Sequence, residues 1–182
     1  MSQLDVLRES LGQCDEILLD ALLMRNRIVE DIMVYKEAND IPILQPEQEA
    51  KQKEWLSRRM EGKRHKNEVD AVFEEITRNS KKIQARKLFD YNIVLIGFMG
   101  AGKSTISDFL KNVFAMDVAE MDQIIAQRQG MSISDIFETY GEQYFRNLET
   151  NLLIEMQSRS NVVISCGGGT PMRECNVVEM KK

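Results

Sequence analysis

Up to about residue 90 the apolar positions recur at helical spacing. Leu4, Leu7, Leu11, Cys14, Leu18 and Leu22, then Ile28 and Ile32, fall along one stripe. This predicts one long helix that stops near Lys36 to Asp40, because Asn39, Asp40, Pro42 and Pro46 are turn and breaker residues. A second helix is predicted over about Pro46 to Met60, with proline tolerated in its first turn. A third is predicted over about Asn67 to Leu88, where Val69, Val72, Phe73, Ile76 and Ile83 share a face. A first helix of about 35 residues would be about 50 Å long. Two shorter helices cannot cover that length, so a symmetric homodimer burying the apolar stripes between two chains is expected.

The pattern changes after Asp90. Asn92-Ile93-Val94-Leu95-Ile96 is a short apolar run of strand type, followed by a helical pattern from Lys103 to about Val113. A weaker strand is predicted at Val118 to Met121. Helices at about Ile133 to Tyr140 and Gln143 to Arg159 come next, and then a strand at Val162 to Ser165. Strands alternating with helices predict a parallel sheet. The fold class expected is therefore an all-α three-helix domain over 1–90, followed by an α/β domain with a parallel sheet over 91–182.

Composition sharpens this division. Of ten glycines, residues 1–90 hold only Gly12 and Gly62. The apolar fraction, 43% of 182 residues, is too high for a disordered chain. A net charge of -5 argues against bulk gripping of a nucleic acid backbone. No apolar run approaches the roughly 20 residues of a membrane helix, and the first ten residues lack the pattern of a signal peptide. The expected setting is thus cytoplasmic, with neither nucleic acid nor membrane as partner. Cys14, Cys166 and Cys175 form no paired spacing and are read as reduced thiols. His65 sits in the charged run Lys63 to Lys66, which is read as a solvated loop.

The candidate chemistry begins at Gly97-Phe98-Met99-Gly100-Ala101-Gly102-Lys103-Ser104-Thr105, a G-x-x-x-x-G-K-[ST] loop between a predicted strand and a predicted helix. The glycines let successive amides turn toward phosphate oxygens, and the helix N-terminus adds partial positive charge. Lys103 would reach the outer phosphates of ATP, and the Ser104 hydroxyl would ligate Mg²⁺. A second glycine cluster, Gly167-Gly168-Gly169, follows the last strand, where ligands bind in open parallel sheets. The carboxylates of Glu120 and Asp122 and the guanidinium of Arg146 suit a substrate with hydroxyl and carboxylate groups. Arg146 pairing with Glu142 or Glu149 at the surface, and Asp122 capping a helix, are the plainer alternatives.

In order and spacing these blocks resemble a shikimate kinase: the phosphate loop, Glu120-Met121-Asp122, Met131 to Phe137 running to Gly141-Glu142 and Phe145-Arg146, and the triple glycine. The resemblance implies that Asp122 binds shikimate hydroxyls and acts as base, that Arg146 holds its carboxylate, and that Gly167, Gly168 and Gly169 line the pocket. The family usually has Asp-x-Asp where this chain has Glu120-Met121-Asp122; the longer Glu120 would organise Mg²⁺ through water. The segment after Asp90 is too short for the whole sheet and lid that the family implies, so the kinase part is expected to be truncated.

Residues 1–90 are similar to the all-helical class of chorismate mutase. The similarity rests on Leu7-Arg8-Glu9, Asp15-Glu16 with Arg25, Tyr35-Lys36, Pro42-Ile43, Gln45 to Glu49, and Ser80 with Gln84. Chorismate is a dicarboxylate, and its rearrangement to prephenate is unimolecular, so cations that hold a compact conformer suffice and no cofactor is needed. Arg25 and Lys36, 11 residues apart, lie about 20° apart around a helix, and Ser80 and Gln84 share a face. The resemblance implies that Arg8 reaches the partner protomer's site, Arg25 grips a carboxylate and Lys36 donates to the ether oxygen. Glu49, Ser80 and Gln84 complete the ring; the family often has arginine where Gln48 stands. The whole reads as a bifunctional enzyme of aromatic amino acid biosynthesis. Its rivals are a helical dimerisation arm on a nucleotide-binding domain, or a different small-molecule kinase with the same loop.

Overall fold

The computed structural model describes residues 2–43 and 45–182. The chain divides into two compact units, Met1–Gln84 and Ala85–Lys182.

The first unit is helical. Helix α1, Gln3–Ala38, starts from a reciprocal cap: the Ser2 hydroxyl accepts from the Asp5 amide, and the Asp5 carboxylate accepts from the Ser2 amide. It ends where Asn39 folds its side chain back to donate to the Tyr35 carbonyl at 2.7 Å and Asp40 turns left-handed at φ 52°. Helix α2, Pro46–Arg59, has proline in its first turn, where no amide donor is missed. Helix α3 is Lys66–Leu88. Burial in this unit gathers around Val29, Met33, Lys36, Leu56 and Ser80. The first half of α1 is bare on all sides: every described residue up to Met24 is exposed, including Leu7, Leu11 and Leu18 at about 60%.

The second unit is a three-stranded parallel sheet of order β1-β3-β2, with β1 Ile93–Leu95, β2 Asp117–Glu120 and β3 Val162–Ser165. Central β3 is buried at all four positions, as expected of a parallel strand covered on both faces. Register pairs Ile93 with Val163 and Val118 with Val163 on either side. One apolar cluster, including Met121, Ile125, Ile136, Phe145, Leu152 and Met156, packs on one part of the sheet; Ala85, Leu110, Met116 and Val163 form another. Asn92 locks the sheet entrance, donating to the carbonyls of Met156 and Arg159 and accepting from the Val162 amide.

The remaining helices are α4 Lys103–Phe114, α5 Met121–Gln129, α6 Ile133–Met156 and α7 Glu174–Glu179. Three differ from the sequence reading. The weak strand begins and ends one residue earlier than expected, because buried Met121 opens α5, a helix whose polar run hid it. Helix α7 is too short to show a period. The two helices expected on either side of Gly141 form one element kinked there, at φ 80° and ψ 167°.

Candidate active sites

The loop from β1 to α4 takes its shape from glycines in the left-handed region, with φ 146° at Gly97, 80° at Gly100 and 83° at Gly102. The Ala101 amide donates to the Phe98 carbonyl at 3.1 Å and closes a turn. Lys103 curls over its own loop, its Nζ donating to the carbonyls of Gly97 at 2.6 Å and Phe98 at 3.1 Å. Ser104 and Thr105 lie exposed in the first turn of α4, where backbone amides have no intrahelical acceptor. A glycine loop running into a helix N-terminus, with an adjacent ammonium, is a donor set suited to a polyphosphate.

The second glycine cluster leaves β3 beside this loop, and the Cys166 amide donates to the Leu95 carbonyl at 2.9 Å. Each glycine faces a different functional element. A Cβ on Gly167 would stand 3.0 Å from Asp122 Oδ1, one on Gly168 would lie 3.5 Å from Phe98 Cα, and one on Gly169 would be 2.5 Å from both terminal nitrogens of Arg146. One turn therefore brings Asp122, the phosphate loop and Arg146 together.

Arg146 lies on α6 against the paired rings of Phe137 and Phe145, whose centres are 6.0 and 5.5 Å from its Cζ. Its Nη1 donates to Glu149 at 2.9 Å, and its Nε and Nη2 donate to Glu142 at 3.2 and 3.0 Å. Partial burial opposes the charge of Arg146, but these hydrogen bonds outweigh it and raise the guanidinium pKa above its ordinary value. A guanidinium has five N–H donors, so these three bonds leave two, one on each Nη.

Glu149 is fully buried and was not among the expected site residues. Besides Arg146 it accepts a hydrogen bond from the hydroxyl of Thr170, also fully buried, directly after the triple glycine. Asn176, equally buried, donates to the Thr170 carbonyl at 2.9 Å and accepts from the Thr150 hydroxyl at 2.6 Å. A polar chain thus runs from α6 through the glycine turn to α7. The spacing of Arg146 and Glu149 was a signal for the first link, whereas the links through Thr170 and Asn176 span 21 and 26 residues and leave no local trace.

The pKa of Asp122 is raised, first by burial of its carboxyl and then by neighbouring Glu120; Lys103 and Arg146 pull the other way. Cys166 is enclosed, and desolvation pushes its thiol up to about 12, so it is inert at neutral pH. Among the described residues no three His, Cys, Asp or Glu side chains gather as a metal cluster.

In the helical unit, Arg25 Nη1 donates to the Ser80 hydroxyl, which in turn donates to the Ile76 carbonyl at 3.0 Å. Lys36, 8% exposed, donates to the Ile43 carbonyl at 2.8 Å. Burial lowers the pKa of both cations. Glu49 on α2 pairs with Lys81 on α3 at 2.8 Å. Gln84, one turn beyond Ser80, is half-buried. Arg8 is exposed and, 17 residues before Arg25, lies about 25 Å up α1. Arg25 and Ser80 are thus in contact and Glu49 is tied to the same helix as Ser80, while Arg8 is not gathered with them within one chain.

Comparison with known proteins follows the same division. Residues 7–85 match the family model described as chorismate mutase type II, and residues 99–182 match that of shikimate kinase. The chain is 42% identical over 91 residues to a shikimate kinase of Clostridium botulinum, covering 50% of this chain and 54% of that protein. It is 44% identical over 90 residues to one of Dehalococcoides mccartyi, covering 50% and 51%. The shikimate kinase of Acinetobacter baumannii solved in complex with shikimate is 37% identical over 50% of this chain and 51% of that one, at a TM-score of 0.48. The chain spans about half the length of the relatives it matches.

Proposed function

We propose that this chain, a chorismate-mutase-family segment joined to a shikimate-kinase-family segment, serves two steps of aromatic amino acid biosynthesis. The segment within 1–90 would rearrange chorismate to prephenate. The segment within 91–182 would bind ATP and shikimate for phosphoryl transfer to a shikimate hydroxyl. The observation that carries the second assignment is the glycine turn, which sets Asp122 and Arg146 at its two ends beside the phosphate loop.

The two free N–H groups of Arg146 take the shikimate carboxylate and fix the ring's orientation. Asp122 accepts a hydrogen bond from the hydroxyl and then its proton; partial burial makes it a stronger base, while Lys103 and Arg146 favour its ionised form. The amides from Gly97 to Thr105 and the ammonium of Lys103 would hold the nucleotide phosphates, with the Ser104 hydroxyl and Glu120 arranged toward Mg²⁺. Bound nucleotide would supply the phosphoryl group, and its Mg²⁺ would neutralise charge on the phosphates. In the helical unit Arg25 grips one carboxylate of chorismate and Lys36 donates to the ether oxygen as that bond breaks; Glu49, Ser80 and Gln84 complete the ring. The bare half of α1 supports a homodimer, in which Arg8 would enter the other protomer's site. With no described helix long and apolar enough to cross a membrane, a cytoplasmic setting fits the reading.

The test for the sheet unit is calorimetric titration of the whole chain with shikimate in the presence of a non-hydrolysable ATP analogue. Saturable binding lost in Arg146→Ala is expected; binding unaffected by that change would point to a substrate without a carboxylate, and no binding by the wild type would remove the shikimate assignment.

A further inference from the structure

We infer that Lys81, which belongs to no motif in the chain, is a further substrate-binding residue of the helical unit and grips the second carboxylate of its dianionic substrate. The inference rests on the mutase reading and adds a residue to it. Around α3, Ser80, Gln84 and Lys81 fall within an arc of about 100°, with Gln84 between the other two. Ser80 is held by Arg25, and Lys81 holds Glu49, so the charge of Lys81 lies on the same rim as the groups assigned to chorismate.

Its environment differs from that of Arg58 and Arg78. Arg58 and Arg78 pair along their own helices with side chains 76% and 52% exposed. Lys81 pairs from α3 to α2 with its side chain only 22% exposed, turned into the unit rather than outward. The charge inventory of the ring calls for such a group. With Lys36 assigned to the ether oxygen and Arg25 holding one carboxylate, a single chain offers no other ring cation for the second, which only Arg8 of the other protomer would share; Gln48 is uncharged, and the carboxylate of Glu49 would repel a dianion. A positive charge 2.8 Å from Glu49, the residue after Gln48, offsets that repulsion and brings an ammonium to the ring.

Steady-state mutase kinetics on the whole chain test this with Lys81→Ala, Lys81→Arg, and Lys81→Ala combined with Glu49→Gln. Lys81→Ala is expected to raise KM for chorismate by about tenfold or more, the loss of one charge-assisted contact, while kcat falls less than about threefold. Lys81→Arg should restore most of the affinity. The double variant should remain weak, because removing Glu49's charge does not replace a lost carboxylate contact. If Glu49→Gln instead returns KM to the wild-type value, Lys81 merely masks Glu49 and the inference falls. It falls equally if Lys81→Ala leaves KM within twofold of wild type. Should Lys81→Ala lose helical circular dichroism, Lys81→Met keeps the packed stem and carries the same expectation. A wild-type chain with no mutase rate would remove the mutase reading itself, whereas an active wild type with unchanged KM in the variant removes only the role of Lys81.

Discussion

The two units bring their charged groups together by opposite means. In the sheet unit the groups are fixed by backbone. Three consecutive glycines leave a fully buried strand, and each lies against one functional element, so Asp122, Phe98 and Arg146 are positioned by one turn. Behind it, Glu149, Thr170 and Asn176 are all fully buried and hydrogen-bonded. In the helical unit the groups sit at the ends of long side chains on three helices, and half of its longest helix has no cover. The first arrangement gains its rigidity from a parallel sheet; in the proposed dimer, the second gains its cover from a partner chain.

The sharpest way to break the contrast is through buried Glu149. Glu149→Ala leaves Arg146 and Thr170 without their shared acceptor, and a loss of about 3 kcal/mol in the stability of the sheet unit is expected by chemical denaturation. The helical unit should unfold as in the wild type. A common shift of both transitions would show that the units are not separate in energy.

Next comes the uncovered helix. Leu11→Glu together with Leu18→Glu places charges on the apolar stripe and should convert a dimer into a monomer in sedimentation velocity, with the helical unit's melting temperature losing its dependence on concentration. A wild-type chain that sediments as a monomer would contradict the proposed dimer.

How much of this could be read from the sequence differs between the units in the same way. The helices of the first unit, and β1, β3 and the phosphate loop of the second, are legible because their signals are local: a period, a proline, a glycine motif. Helix α5 is not, because its buried Met121 and Ile125 are set among Gln, Asp and Arg. Arg146 makes the pairing with Glu142 and Glu149 that the spacing allowed, but the Glu149 partner is fully buried rather than at the surface. The tie of Lys81 to Glu49 bridges 32 positions, and Asn176 reaches back to Thr150 across 26, so only the folded chain reveals either.

Chemical reactivity gives a smaller effect. With the Cys166 thiol pushed up to about 12 and enclosed, while Cys14 and Cys175 are exposed, a maleimide at neutral pH should label two cysteines of the folded chain and three after unfolding. Rapid labelling of Cys166 in the folded state would mean that the glycine turn opens readily.

The smallest effect concerns Asp122. Its pKa is raised in the folded chain, so between the unfolded and folded values the native state binds more protons, and stability falls as pH rises through the folded pKa. Asp122→Asn removes that cost. At neutral pH the variant should be more stable by a few tenths of a kcal/mol, since the carboxyl is partly solvated, with the gap closing as the pH drops below both pKa values. No gain at neutral pH would mean that the carboxylate is not desolvated.

The most direct test of the claim that one chain carries two active sites is the loss of chorismate absorbance in the presence of the whole chain. The account predicts a rate well above the spontaneous one, reduced by about 10²- to 10³-fold in Arg25→Ala, as for removal of a preorganised donor. A wild-type chain that leaves the spontaneous rate unchanged, or an Arg25→Ala variant as fast as the wild type, would contradict it.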